Sequence, residues 1–195
     1  MAATTDPADF VVNRPHRADA ARNFDALLVA ARAAFAEHGA QASLEDIARN
    51  AGVGIGTLYR NFPTRQHLYS TVYLEEIEQL CEVADQVVDL PPWEALAAWL
   101  HRFVGYEVTK HAMQEGIDRD SKLFHAGRDA MYAAGEPLLR RAQKAGEARK
   151  DASLSDILRM IIGITRSLFE NEGQFEHVLA IALDGVRAPG CKYPL

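Results

Sequence analysis

The sequence predicts an all-α protein, with a three-helix head carrying a helix-turn-helix and a larger helical-bundle body behind it. Three observations predict this. Apolar residues recur at steps of three and four through most of the 195 residues, the period of helices with one buried face. No alternating apolar and polar run of any length appears, so strands are not expected. The stretch 43–62, SLEDIARNAGVGIGTLYRNF, reads as two short amphipathic segments joined by a glycine-bearing turn.

Residues 1–13 carry Ala, Thr, Asp and Pro without periodicity and are expected to form a disordered tail. Arg14, Arg17 and Arg22 follow as a basic arm, suited either to phosphates and a narrow minor groove or simply to solvent. Phe24, Leu27, Leu28, Ala31, Ala34 and Phe35 predict a first helix that ends at Gly39 and packs across the helix-turn-helix. In that motif Leu44, Ile47, Ala48 and Ala51, then Val53, Leu58 and Phe62, form one buried seam. Ser43 is the expected N-cap, with Asp46 as an acidic capping-box partner, and Gly52 is the residue suited to positive φ where the first helix stops.

The second helix, Ile55 to Asn61, keeps Gly56, Thr57, Tyr59, Arg60 and Asn61 off the buried stripe. Hydroxyls, an amide and a guanidinium on one short exposed helix are the groups that phosphate and base-edge contacts in a major groove require. The competing reading is a solvated helix in an ordinary bundle. Ser43, Leu44, Gly54 and Ile55, at the starts of the two helices, complete the candidate DNA-facing set with Arg65, which opens the next helix after Pro63 and Thr64.

The net charge of −6 excludes a general nucleic-acid-coating protein, but the charge is uneven. From residue 13 to 66 there are seven arginines against five acids, a net of +2, so the body is the acidic part. The two cysteines, Cys81 and Cys191, lie far apart and outside metal spacing, which implies reduced thiols. An acidic start without an apolar signal core, and no long uncharged apolar window, imply a cytoplasmic protein with no membrane partner.

In the body, Leu68 to Val87 read as one long helix from about Thr64 to Val88, a rod able to carry motion away from the head, closed by Pro91 and Pro92. Trp93 opens a helix running toward His111, and a connection containing Gly116 follows. Ser121 caps the next helix, in which Pro137 is expected to produce a kink near Gly135. KAGEARKDAS is a polar break. Leu154, Ile157, Leu158 and Ile161 in one final helix, and Phe175, Val178, Leu179, Ala182 and Val186 in the other, exceed what a one-sided surface helix needs and suggest a partner. Trp99, Phe103, Tyr106, Phe124, Met131, Tyr132, Arg166 and Phe169 supply apolar walls with sparse polar anchors, the make-up of a small-molecule site and equally of plain core.

Other chemistry finds little footing. GVGIG at 52–56 has no strand before it and no βαβ context, so it does not read as a nucleotide loop. His125 with Asp129, and His111 with Glu115, have the i,i+4 spacing of metal ligands but no nameable third ligand. No nucleophile sits in a recognisable motif, so no enzyme, metal or cofactor is expected.

The run 24–73 resembles the DNA-binding domain of the TetR/AcrR (tetracycline-repressor) family of bacterial transcription regulators. FAEHG, SLEDIARNAGV, GTLYRNF and RQHL carry the resemblance. It implies a DNA-binding domain over 14–68 and a ligand-binding and dimerisation domain over 69–195, whose last two helices pair with those of a second subunit as a four-helix bundle. It implies a ligand-responsive regulator, usually a repressor, acting as a homodimer on a roughly palindromic double-stranded operator and answering to an unidentified small-molecule effector. Thr57 and Tyr59 would contact backbone or bases, Arg65 a phosphate, and Arg60 and Asn61 the positions of variable base readout. The alternative is a helical small-molecule-binding protein or enzyme whose helix-turn-helix is structural.

Overall fold

The computed structural model describes residues 11–112 and 120–189. The first ten residues, the Gly116 connection, Glu115 and Cys191 lie outside them. Among the described residues the chain forms α1 (Ala18–His38), a 3-10 turn (Gly39–Gln41), α2 (Leu44–Asn50), α3 (Ile55–Asn61), α4 (Arg65–Gln86), α5 (Pro92–Ala112), α6 (Lys122–Lys144), α7 (Leu154–Thr165) and α8 (Glu172–Asp184). One isolated bridge, Ala148 to Arg187, is the β-structure seen there. The fold is all-α, as the periodicity predicts. No described helix is long and apolar enough to cross a membrane.

The chain divides into two compact units, and the division falls within α4, α5 and α6. The first comprises the described residues of Met1–Glu78 and Val108–Asp129, so it extends past residue 68 and takes in a second segment. Its core gathers Phe24, Leu27, Phe35, Ile47, Leu58, Phe62 and Leu68, all nearly or wholly buried. Phe24 lies against Phe62 with ring centroids 4.9 Å apart, and Phe35 stacks on Tyr69 at 4.4 Å. Such pairs add to plain area burial. The expected tail is docked at its described end: Val12 packs on this core and its N–H donates to Thr71 Oγ1 at 3.3 Å.

Arg32 of α1 bridges two glutamates of α4, Glu75 at 2.8 Å and the buried Glu76. Desolvation holds the Glu75 carboxyl above its ordinary range despite Arg32. A raised carboxyl pKa means the folded state holds its proton more tightly than the unfolded chain does. The cost is therefore absent below the unfolded value of about 4.5 and complete above the folded one. Glu75→Gln is expected to raise the melting temperature at pH 7 and to leave it unchanged near pH 4, because Glu76 still holds Arg32. A lower melting temperature at pH 7 would show that Arg32 outweighs desolvation.

The second unit comprises the described residues of Gln79–Glu107 and Ala130–Leu195. Trp99 is its centre, fully buried, with Nε1–H donating to the Leu80 carbonyl at 3.0 Å. Gly135 lies directly under that ring. α6 continues unbroken through Pro137 to Lys144. It ends at Gly146, φ 76°, where Glu147 N–H reaches Ala142 O and Gly146 N–H reaches Gln143 O, the paired bonds of a Schellman end. Arg141 donates to the Val88 and Leu90 carbonyls at 2.5 and 2.7 Å, satisfying backbone acceptors just beyond α4. Ser153 and Asp156 close a complete capping box at the start of α7.

Candidate nucleic-acid interface

The helix-turn-helix is built as its sequence implies, with one bond fewer. Ser43 Oγ accepts from Asp46 N–H at 3.3 Å, but the Asp46 carboxylate turns to Arg49, so only half of the expected capping box is made. α2 ends in a Schellman pair, Val53 N–H to Ala48 O and Gly52 N–H to Arg49 O, both 3.0 Å. Gly52 takes φ 70°, the left-handed conformation that favours glycine at this position.

α3 buries Leu58, half-buries Thr57 and Asn61, and exposes the rest. Tyr59 is 49% exposed, Ile55 37%, and Arg60, Gly54 and Gly56 are exposed. Thr57 organises this face. Its hydroxyl accepts from Arg60 Nη2 at 2.8 Å and its carbonyl from Asn61 Nδ2 at 2.8 Å. Two candidate readers are thus aligned on one residue before any ligand arrives.

The other predicted contacts are partly committed within the chain. Arg14 grips Asp25 with two bonds of 2.7 and 2.5 Å, which hold the Asp25 carboxyl below its ordinary range. Arg22 pairs with Asp19 one turn away, while Arg17 stands exposed at the N-cap of α1. Arg65 is a tie between elements: Nη2 donates to the Ala42 carbonyl at 2.6 Å and the guanidinium lies over Tyr69. Ser43 uses its hydroxyl as a cap, and Leu44 is half-buried against the core. The head's formal surplus of arginine therefore overstates the charge free to meet a phosphate.

The eight candidate ligand residues divide. Phe124 belongs to the first unit, stacked on Tyr73 at 5.9 Å. In the second, Trp99, Phe103 and Tyr106 form a buried aromatic row with centroids 6.1 and 5.7 Å apart, and Met131 is buried. Tyr132 is half-buried, Phe169 pairs edge-on with Phe175, and Arg166 is exposed at the C-cap of α7. A cavity of about 480 Å³ in this unit has other walls, among them Cys81, Ala84, Ala134, Pro137 and Leu138.

The candidate dimer residues also divide. Leu154, Ile157, Leu158, Ile161, Leu179 and Val186 are buried within the chain itself, where α7 and α8 pack on each other. Phe175, Val178 and Ala182 are half-buried. Ile181, 58% exposed, and Leu168, fully exposed, lie outside the candidate dimer set; the apolar band read from the sequence carries Leu168 on the helix, but α7 ends at Thr165 and leaves it in the coil beyond. Leu168 keeps the three- and four-residue spacing of Ile157, Ile161 and Ile164 although the helix has ended, and Ile181 falls on the second side of a helix apolar on two.

Residues 27–72 match the family model described as bacterial regulatory proteins, tetR family. Residues 91–188, half of the chain, match the C-terminal domain of SbtR-like transcriptional regulators. The chain belongs to the TetR family of bacterial transcriptional regulators. It is similar to a solved TetR transcriptional regulator from Streptomyces coelicolor, with 37% identity, 86% of this chain and 99% of that one covered, and a TM-score of 0.74. A TetR transcription regulatory protein from Mycobacterium vanbaalenii shares 30% identity over 89% of this chain and 100% of its own, with a TM-score of 0.69. The ketosteroid regulator KstR2 of Mycobacterium tuberculosis, at 21% identity, 90% and 98% coverage and a TM-score of 0.59, shares the fold. In this TetR-family chain α2 and α3 are the helix-turn-helix, and both fall inside the segment matched by the N-terminal family model.

Proposed function

We propose that the protein is a ligand-responsive repressor that binds a roughly palindromic operator as a homodimer in the cytoplasm. The observation that carries the DNA part is the outer face of α3, where Tyr59 and Arg60 stand out from a helix anchored by Leu58 and ordered by Thr57. Two such helices related by a two-fold axis would enter successive major grooves about 34 Å apart. Tyr59, Arg60, Asn61 and Thr57 are the proposed direct contacts, with Gly54, Ile55 and Gly56 letting the backbone approach. Arg17 is the arm's proposed phosphate contact, and Arg65 and Arg14 hold the head in shape.

The effector is a small, largely apolar molecule taken up by the body. A cavity of about 480 Å³ in that unit, walled mostly by apolar residues of α4 and α6 such as Ala84, Ala134 and Leu138, supports that reading, since volumes of several hundred Å³ are typical of such sites. Release of the operator would be a population shift. An effector that moves occupancy from about 99% to about 1% must prefer the released state by roughly 5.5 kcal/mol.

The test is selection from random duplexes, followed by titration against the recovered site and against DNA upstream of the protein's own gene. A two-fold-symmetric consensus and a binding constant that falls steeply with salt are expected. Equal affinity for every duplex would remove the regulator reading.

A further inference from the structure

The cavity between α4 and α6 carries a positive charge that its own chain leaves unanswered. Ala84 of α4 and Val88 just beyond it supply one wall, and Ala133, Ala134 and Leu138 of α6 the other. The α6 lining runs from Ala130 to Arg141, roughly 16 Å at about 1.5 Å per residue, so the space is a long apolar slot. At one end the Cys81 thiol donates to the Ala130 carbonyl at 3.9 Å and is spent there.

Arg141 closes the other end and is the one cation in the described lining. Its two Nη groups donate to the Val88 and Leu90 carbonyls, and its buried Nε–H has no acceptor. Both partners are neutral, and among the described residues no carboxylate is bonded to it. A guanidinium is always charged, and a half-buried charge met only by dipoles is costly. Asp85, the one anion in the lining, is exposed and keeps its water, so a cationic ligand would gain little from it.

We infer that this cavity takes a linear carboxylic acid, with its alkyl chain along the alanine walls and its carboxylate on Arg141. The inference rests on the effector reading above and names the chemical class. A guanidinium has five N–H donors, and the two carbonyls use two of them. A carboxylate arriving side-on accepts from the Nε–H and one remaining Nη–H, the planar fork that suits two oxygens. The orphaned donor then gains a charge-assisted bond, and the buried charge its counter-ion. An alcohol of the same length supplies neither the charge nor the second acceptor.

Isothermal titration of the full-length protein with decanoate, decylamine and 1-decanol tests this. Decanoate is expected to bind at least about tenfold more tightly than either of the others. Equal affinities, or a preference for decylamine, would overturn the carboxylate and leave an apolar cavity; no binding by any of the three would remove the effector reading of this cavity as well. Operator titration in saturating decanoate reads the effector role by itself, since an unchanged operator affinity would remove that role and leave the preference for the acid. Arg141→Gln is expected to bring decanoate down to the affinity of decanol while decanol stays as it was. An equal fall in both would make Arg141 a structural tie and overturn the proposal. Ala133→Leu narrows the slot at an exposed position, where folding is not at stake, and is expected to weaken decanoate and decanol alike by about tenfold. Unchanged decanoate binding in that variant would put the acid elsewhere and overturn the site.

Discussion

Gly135→Ala is expected to be among the most damaging single methyl additions available in the body. A Cβ there would lie 2.8 Å from both Trp99 Cζ2 and Cζ3 and closer still to Cη2. The ring is not a movable side-chain end. It is fully buried, and its Nε1–H is spent on the Leu80 carbonyl. Relief therefore requires α5 or α6 to shift, or the indole to leave its hydrogen bond and orphan a buried donor. Overpacking of this kind costs about 1–3 kcal/mol, and an unpaired buried donor a comparable amount. Gly105→Ala is the internal control, because it lies in the same helix as Trp99, is exposed, and would meet only an Arg102 nitrogen at 3.6 Å. There the helical gain of alanine, roughly 0.5–1 kcal/mol, should appear as added stability. Denaturant unfolding checks both, and equal midpoints for the two variants would show that Trp99 yields at little cost.

Tyr59→Ala is expected to separate binding from folding. About half of the Tyr59 side chain is exposed, and it belongs neither to the buried core of the first unit nor to the residues packed against it. Its removal should change stability by no more than about 0.5 kcal/mol. Its loss from a groove contact should weaken operator binding by about 1–3 kcal/mol, or roughly ten- to a hundredfold. Arg65→Ala should show the opposite signature, a lower melting temperature from the lost tie to Ala42, since that guanidinium works inside the head. Operator titration beside a thermal melt reads both quantities. Wild-type affinity in Tyr59→Ala would remove that residue from the contact set.

The head was legible because its information is local. Ser43, Gly52, Leu58 and the three- and four-residue spacing of Phe24 to Phe35 each state a cap, a turn or a buried face within a few residues. What the sequence hid is pairing at long range. Arg14 with Asp25 is 11 residues apart, Arg65 with Ala42 is 23, and Arg32 with Glu75 is 43. No periodicity encodes such partners, so charge counting treated committed arginines as free. Ser153 and Asp156 repeat the spacing of Ser43 and Asp46, and each aspartate has an arginine three residues on, yet only the later pair closes both bonds while the Asp46 carboxylate pairs with Arg49. In α7 and α8 the apolar stripe is wide, and a stripe alone does not say which half meets its own chain. Burial divides it, with Ile157, Ile161 and Leu179 inward and Ile181 outward.

The smallness of α3 has a kinetic consequence. Seven residues are too few to hold a helix by themselves, and Leu58 is the one side chain that pins this segment to the core. Its amides are therefore expected to exchange by local fraying, at far less than the cost of unfolding the domain, which hydrogen exchange would read. On the proposed operator such a helix would follow an irregular groove as it settles, with the duplex supplying packing that the protein leaves out. Recognition and the last step of folding would then be one event, and the right base sequence the one on which this segment stays wound longest.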